Sequence, residues 1–115
     1  MDTQSIDDLD VETTTGLLRL RVMYLENGLI VLLSDSSNFK LGNTAVSIPE
    51  GTGRNEPTST TLFSNALDST LARTLAERVS SWTNQACILV VSAKDLNRDS
   101  TMEVMKVLKQ HLQQE

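Results

Sequence analysis

Aromatic side chains are scarce in this chain of 115 residues: Tyr24, Phe39, Phe63 and Trp82 are scattered and make up only 3% of it. A stacking platform for single-stranded nucleic acid needs several π-faces together, so that function is not expected. Cysteine is nearly absent. Cys87 stands alone, which excludes an intramolecular disulfide and a CxxC metal or redox site. A single thiol suits a reducing compartment, and cytoplasm or nucleus is the expected location. Long apolar runs are missing as well. Residues 29–33 are far too few to span a bilayer, and no basic segment followed by an apolar run opens the chain. Neither a membrane nor a secretory route is therefore expected.

Excess positive charge is also lacking. The net charge is −5, and Asp2, Asp7, Asp8, Asp10 and Glu12 place five acids and no base in the first twelve residues. That leaves ten acids against ten bases in the remainder. A balanced domain has no basic field to attract a phosphate backbone, so no nucleic acid partner is expected.

Catalytic constellations are missing too. His111 is the sole histidine, and general-base work would need a carboxylate and a nucleophile beside it. Its simpler reading is a surface residue near a helix C-terminus. Cys87 opens an apolar strand, where a small core residue is the usual role. Gly51-Thr52-Gly53 has no Gly-Lys-Ser/Thr after it, so it reads as a loop and not a phosphate cradle. Asp95, Asn97 and Asp99 lack the glycine and the final glutamate of a calcium loop and read as a helix-capping turn. No enzyme, no metal and no cofactor are expected.

What the chain does contain is alternation. Residues 17–25 and 29–34 read as two strands joined by Glu26-Asn27-Gly28, because Asn-Gly tolerates the positive φ angles of a tight hairpin. Leu18, Leu20, Val22 and Tyr24 fall on one face of the first strand, Arg19, Arg21 and Met23 on the other. Residues 43–48 and 59–63 are further strands around an exposed loop, 50–58, rich in Gly and Pro. Leu71, Ala72, Leu75, Ala76, Val79 and Trp82 recur at helical spacing, with Asp68 or Ser69 as N-cap and Asn84 in the left-handed closing position. Residues 87–93 form another strand. Asp99 and Ser100 start a last helix, Ser100 and Glu103 forming a capping box, with Val104, Met105, Leu108 and Leu112 as its stripe. Residues 1–16 read as an acidic, disordered tail, the alternatives being an edge strand or a short docking motif built on Ile6, Leu9 and Val11. Residues 17–115 read as a single domain.

The order implies an α+β fold: an antiparallel or mixed β-sheet with two α-helices on one face. Strands 29–34 and 87–93 are apolar in both phases, so the face without helices needs cover, and dimerisation is the expected use of it. Either Leu29, Val31 and Leu33 or Ile30 and Leu32 could supply that surface. The charged strand face favours Arg19, Arg21 and Met23 with Val31 and Leu33 as the partner interface.

Several stretches resemble the proteasome assembly chaperone 4 family. The likeness rests on Ser59-Thr60-Thr61-Leu62-Phe63, on Ser69-Thr70-Leu71-Ala72-Arg73-Thr74-Leu75-Ala76-Glu77-Arg78, and on Thr83-Asn84-Gln85 running into the strand that ends at Ser92. Val22-Met23-Tyr24-Leu25 and Asn43-Thr44-Ala45-Val46 add to it. The resemblance implies a non-catalytic chaperone that pairs sheet to sheet with a chaperone-3-like subunit. The pair would hold an α-type subunit of the proteasome core particle while its ring forms, without ATP or metal. The competing reading is a small roadblock- or longin-like scaffold subunit of a GTPase or trafficking complex. That fold places a long helix at its start or between its second and third strands, whereas here the helical stripe follows four strands.

Overall fold

Eight segments take regular structure in the computed structural model, which describes residues 5–36, 38–49, 58–63, 69–93 and 97–113. In chain order they are β1 (Ile6–Thr13), β2 (Gly16–Tyr24), β3 (Gly28–Ser34), β4 (Asn43–Ile48), β5 (Thr58–Phe63), α1 (Ser69–Thr83), β6 (Ala86–Ser92) and α2 (Arg98–Leu112). The strands form one mixed sheet in the order β1-β2-β3-β6-β4-β5. β3 and β6 are parallel neighbours, and every other pairing is antiparallel. Parallel neighbours require a long connection. Here it consists of the β4–β5 pair and α1.

Alternation sorts the side chains. Leu18, Leu20 and Val22 of β2 are buried while Arg19, Arg21 and Met23 are not. Register carries that division across the sheet: Val22 lies opposite Val31, Val31 beside Leu89, and Leu89 opposite Ala45. Both helices cover this face. Ala72, Leu75, Ala76 and Val79 of α1 join Val104 and Leu108 of α2 and the strand residues in one core. α1 lies over β4, β6 and β5, and α2 over β1. Small residues allow α1 to approach β4 closely, where the buried Ser80 hydroxyl donates to the Ser47 carbonyl at 3.1 Å. Leu20, Leu33, Leu75, Leu89 and Leu108 are fully buried, each contributing about 1.5–3 kcal/mol through removal from water. The shortest dimension, 23 Å, is that of one sheet and one helical layer.

The expected class, α+β with two helices on one face of a mixed sheet, is the one observed, but three local readings change. Residues 6–13 are not a disordered tail: β1 pairs with β2 along its whole length, from Ile6 opposite Met23 to Thr13 opposite Gly16. The β2–β3 hairpin forms, yet neither Asn27 nor Gly28 has a positive φ. Gly28 is required for a different reason, since a Cβ there would come 2.8 Å from the Ala86 carbonyl oxygen of the adjoining strand. α2 is capped one turn earlier than expected. Asn97 accepts from the Ser100 amide at 2.8 Å, and its own amide donates to the Ser100 hydroxyl at 2.9 Å. Glu103 instead accepts from the Thr14 amide at 3.0 Å, tying α2 to the β1–β2 turn.

The closing position of α1 is as the sequence suggested, with Asn84 at φ 56°. Residues 1–4, the loop 50–57 with Gly51 and Gly53, the cap candidate Asp68, and Asp95 lie outside the described residues.

Candidate functional site

Among the described residues, no helix packs on the second face of the sheet. Strand alternation and register place there Ile6, Asp8 and Asp10 of β1, Leu17, Arg19, Arg21 and Met23 of β2, and Ile30 and Leu32 of β3. Ile88 and Val90 of β6 and Thr44, Val46 and Ile48 of β4 complete it. Because β3 and β6 are central neighbours, their second apolar phases merge: Ile30 lies beside Ile88 and Leu32 beside Val90. Val90, only 5% exposed, is buried without belonging to the core under the helices. Among the described residues six large apolar side chains are strongly exposed, and Ile6, Leu17, Ile48 and Ile88 all lie on this face. A fifth, Leu41 at 83% exposure, sits in the segment joining β3 to β4. Lone exposed apolar residues are ordinary, but their concentration on one face marks an interaction surface.

The segment after β3 is anchored against the rim of this surface. The buried Ser34 hydroxyl donates to the Asn38 carbonyl at 2.9 Å. The Arg21 guanidinium lies 4.8 Å from the centre of the Phe39 ring, within cation–π range. Leu41 is left pointing outward beyond it.

Charge occupies the β1–β2 side. Arg21 donates to both oxygens of Asp8, at 2.8 and 3.1 Å, and Arg19 donates to Asp10 at 3.1 Å. The hydrogen bond from Arg21 holds the Asp8 carboxyl below its ordinary value; desolvation opposes it, and attraction to Arg21 and Arg19 adds to the lowering. The same hydrogen bond raises Arg21. Acids that a sequence reading assigns to a tail therefore satisfy both arginines within the chain. These pairs stay open to solvent, as an acid–base ladder along one edge of an apolar patch.

Of the expected interface residues, the structure brings Arg19, Arg21 and Met23 together on the open face. Val31 and Leu33 are not there. Both are buried beneath the helices, because Met23 lies opposite Ile30 and Arg21 opposite Leu32. A face that contains Met23 and Arg21 must contain Ile30 and Leu32, so combining it with Val31 and Leu33 mixes two phases of one strand. Ile88, Val90 and Val46 escaped the sequence reading because strand order decides which apolar phases adjoin, and strand order is not written locally.

The residues with catalytic potential are occupied otherwise. His111 Nε2 lies 2.9 Å from Asp7, joining the end of α2 to β1 and not to a helix terminus alone. Cys87 is buried, and desolvation pushes its thiol up to about 12, so it remains protonated at neutral pH. A disulfide reagent should leave the folded protein unmodified over hours and label one thiol per chain in denaturant. Rapid labelling of the folded protein would contradict this burial. Among the described residues no cluster of His, Cys, Asp and Glu could hold a metal ion, and no helix is long and apolar enough to cross a membrane.

Comparison with known proteins gives a consistent result. No curated protein matches the chain in sequence. Solved structures do match: a chain from the crystal structure of a chaperone complex for yeast 20S proteasome assembly superimposes with a TM-score of 0.62. The two are 14% identical, and the match covers 93% of this chain and 92% of that one. At that identity the likeness concerns the fold. The family model for proteasome assembly chaperone 4 matches residues 18–93, from the buried Leu18 of β2 to the end of β6. That span holds both central strands, β4, β5 and α1, and the chain belongs to the proteasome assembly chaperone 4 family.

Proposed function

We propose that this chain pairs through its open sheet face with a chaperone-3-like subunit, and that the pair holds an α-type subunit of the proteasome core particle while the α-ring forms. The observation that carries this reading is the concentration, among the described residues, of exposed apolar side chains on the sheet face opposite the helices. An interface of about 800 Å² per partner is the usual size for stable recognition. The apolar centre around Ile30, Ile88, Leu32 and Val90 supplies the driving force, while the Asp8–Arg21 and Asp10–Arg19 pairs stand at its rim. Charges so placed set orientation and partner choice more than affinity. The chaperone acts by binding correctly ordered intermediates more tightly than wrong ones, a difference of affinities that needs neither nucleotide nor metal. Its place of action is the cytoplasm, the nucleus or both.

Topology weighs against the scaffold alternative, because α1 follows five strands instead of opening the chain or separating its second and third strands. Co-expression with a chaperone-3-type subunit and a panel of proteasome α subunits tests the proposal. A heterodimer that retains one α subunit through size exclusion is the expected result. A folded protein that captures none of them would refute it.

A further inference from the structure

Five of the six strongly exposed large apolar side chains among the described residues lie on or beside the open sheet face. Met102 does not. It is 59% exposed on α2, where such residues normally turn inward, and it borders a groove of about 350 Å³ between the two helices. The groove is lined by Arg78 and Trp82 of α1 and by Met102, Met105, Lys106 and Lys109 of α2. The α2 residues recur at intervals of three and four, so they form one stripe, and Arg78 and Trp82 are one turn apart. Trp82 and Met105 pack on the core from one side and remain half-exposed on the other.

Charge at this groove runs against that of the molecule. The whole chain carries −5, yet the two helices hold five bases and three acids. Among the described residues Arg78, Lys106 and Lys109 are in no ion pair. A floor of tryptophan and methionine edged by three unpaired cations is therefore a positive, partly apolar trough on an acidic protein.

We infer that this groove binds an acidic peptide segment carrying an apolar side chain, presented by a partner protein. The apolar residue covers Trp82 and Met102, displacing water from surface that the fold leaves exposed. Carboxylates before and after it meet Lys106, Lys109 and Arg78. Tryptophan and arginine are the residue types on which binding energy concentrates, and methionine adapts its shape to the occupant. Nucleic acid fits less well, since three cations and one aromatic side chain on a negatively charged protein give little phosphate attraction and no stacking series. The groove belongs to the helical layer, on the far side of the sheet from the open face, so both surfaces can be engaged together. The inference stands independently of the proposed pairing.

Trp82 is the only tryptophan of the chain, so its fluorescence reports occupancy directly. The probe is a synthetic twelve-residue peptide of aspartate and glutamate with two central leucines, titrated into the full chain at low and at physiological salt. A saturable change in Trp82 emission is expected, weaker at higher salt. Lys106→Glu with Lys109→Glu should weaken it by about tenfold or more, as loss of complementary rim charge does, with the fold retained and a melting temperature only slightly lowered, since both side chains are exposed and only Lys109 stands in the last turn of α2. Met102→Ser should weaken it without altering its salt dependence. The inference is overturned if emission does not change, if a lysine version of the peptide binds equally, or if the charge reversal has no effect. Equal or tighter binding of a thymidine oligomer or of anionic vesicles would also overturn it.

Discussion

Val31→Glu yields no folded protein, whereas Ile88→Glu yields a folded protein that no longer pairs with a chaperone-3-type subunit. Both positions are apolar and lie in the two central strands, and one step of alternation separates their fates. Val31 is fully buried between Val22 of β2 and Leu89 of β6, beneath both helices. A carboxylate there has no partner and no water; it takes up a proton instead, and burying the neutral carboxyl unpaired still costs several kcal/mol. Domains of this size are stable by only about 5–15 kcal/mol. Losing the valine's own contribution of about 1.5–3 kcal/mol adds to that cost. Ile88, by contrast, is 38% exposed on the other face. Its replacement leaves the core untouched, and a glutamate in that position can be hydrated in the monomer. Once a partner covers the face, the same carboxylate is desolvated at the centre of an apolar interface. Circular dichroism melts separate the first outcome from the second, and co-purification reads the pairing. A folded Ile88→Glu protein that still co-purifies would move the partner surface away from this face, and a well-folded Val31→Glu protein would contradict the register itself.

The ambiguity that this pair of substitutions resolves is physical. A strand declares its inward face only when the two phases differ in polarity, as β2 does with Leu18, Leu20 and Val22 against Arg19 and Arg21. β3 and β6 do not differ in that way. Their phases become assigned only when pairing with β2 fixes Met23 opposite Ile30, information held in the hairpin register and not in β3. Elements with strong local periodicity were legible for the same reason: α1 by its three-and-four spacing and its close at Asn84, β4 by its bounds. That the second phases of β3 and β6 are apolar was legible from the sequence alone. Their merging was not, because the adjacency of β3 and β6 arises through a crossover of more than fifty residues.

The start of α2 misled for a narrower reason. Ser100 and Glu103 have capping-box spacing, but Asn97 and Ser100 have it as well, and the structure uses that earlier pair while Glu103 serves the β1–β2 turn. The groove between the helices has a sequence signal of its own, although core filling is the usual role of methionine. Met102, Met105, Lys106 and Lys109 form a stripe displaced from the core stripe of Val104 and Leu108, and one of its methionines is exposed where lysine or glutamine would serve solubility better.

Removing residues 1–13 destabilises the protein by about 3–5 kcal/mol and turns it toward aggregation. A disordered tail could be deleted at no cost, so this truncation separates the compositional reading from the structure. β1 contributes the buried Val11 and the partly buried Leu9, together worth several kcal/mol at about 1.5–3 kcal/mol per buried aliphatic side chain. The strand also holds α2 in place, through Asp7 and His111 and through the turn that binds Glu103. Without it Leu18 and Leu20 lose their neighbours, and Arg19 and Arg21 lose the aspartates that lie opposite them. β2 would then become the sheet edge, an exposed, largely apolar strand with open hydrogen-bonding groups, which is a template for pairing with other chains. The sequence held a sign of this arrangement: Asp8 and Asp10 stand at the same distances before the Thr14–Thr15 turn as Arg21 and Arg19 stand after it. Acidity suggested a solvated tail, while that symmetry marked a hairpin. Urea denaturation of the full and shortened chains measures the difference, and light scattering at matched concentration follows association. A truncated chain with unchanged midpoint and no added association would show β1 to be dispensable, and would return residues 6–13 to the status of an appended tail.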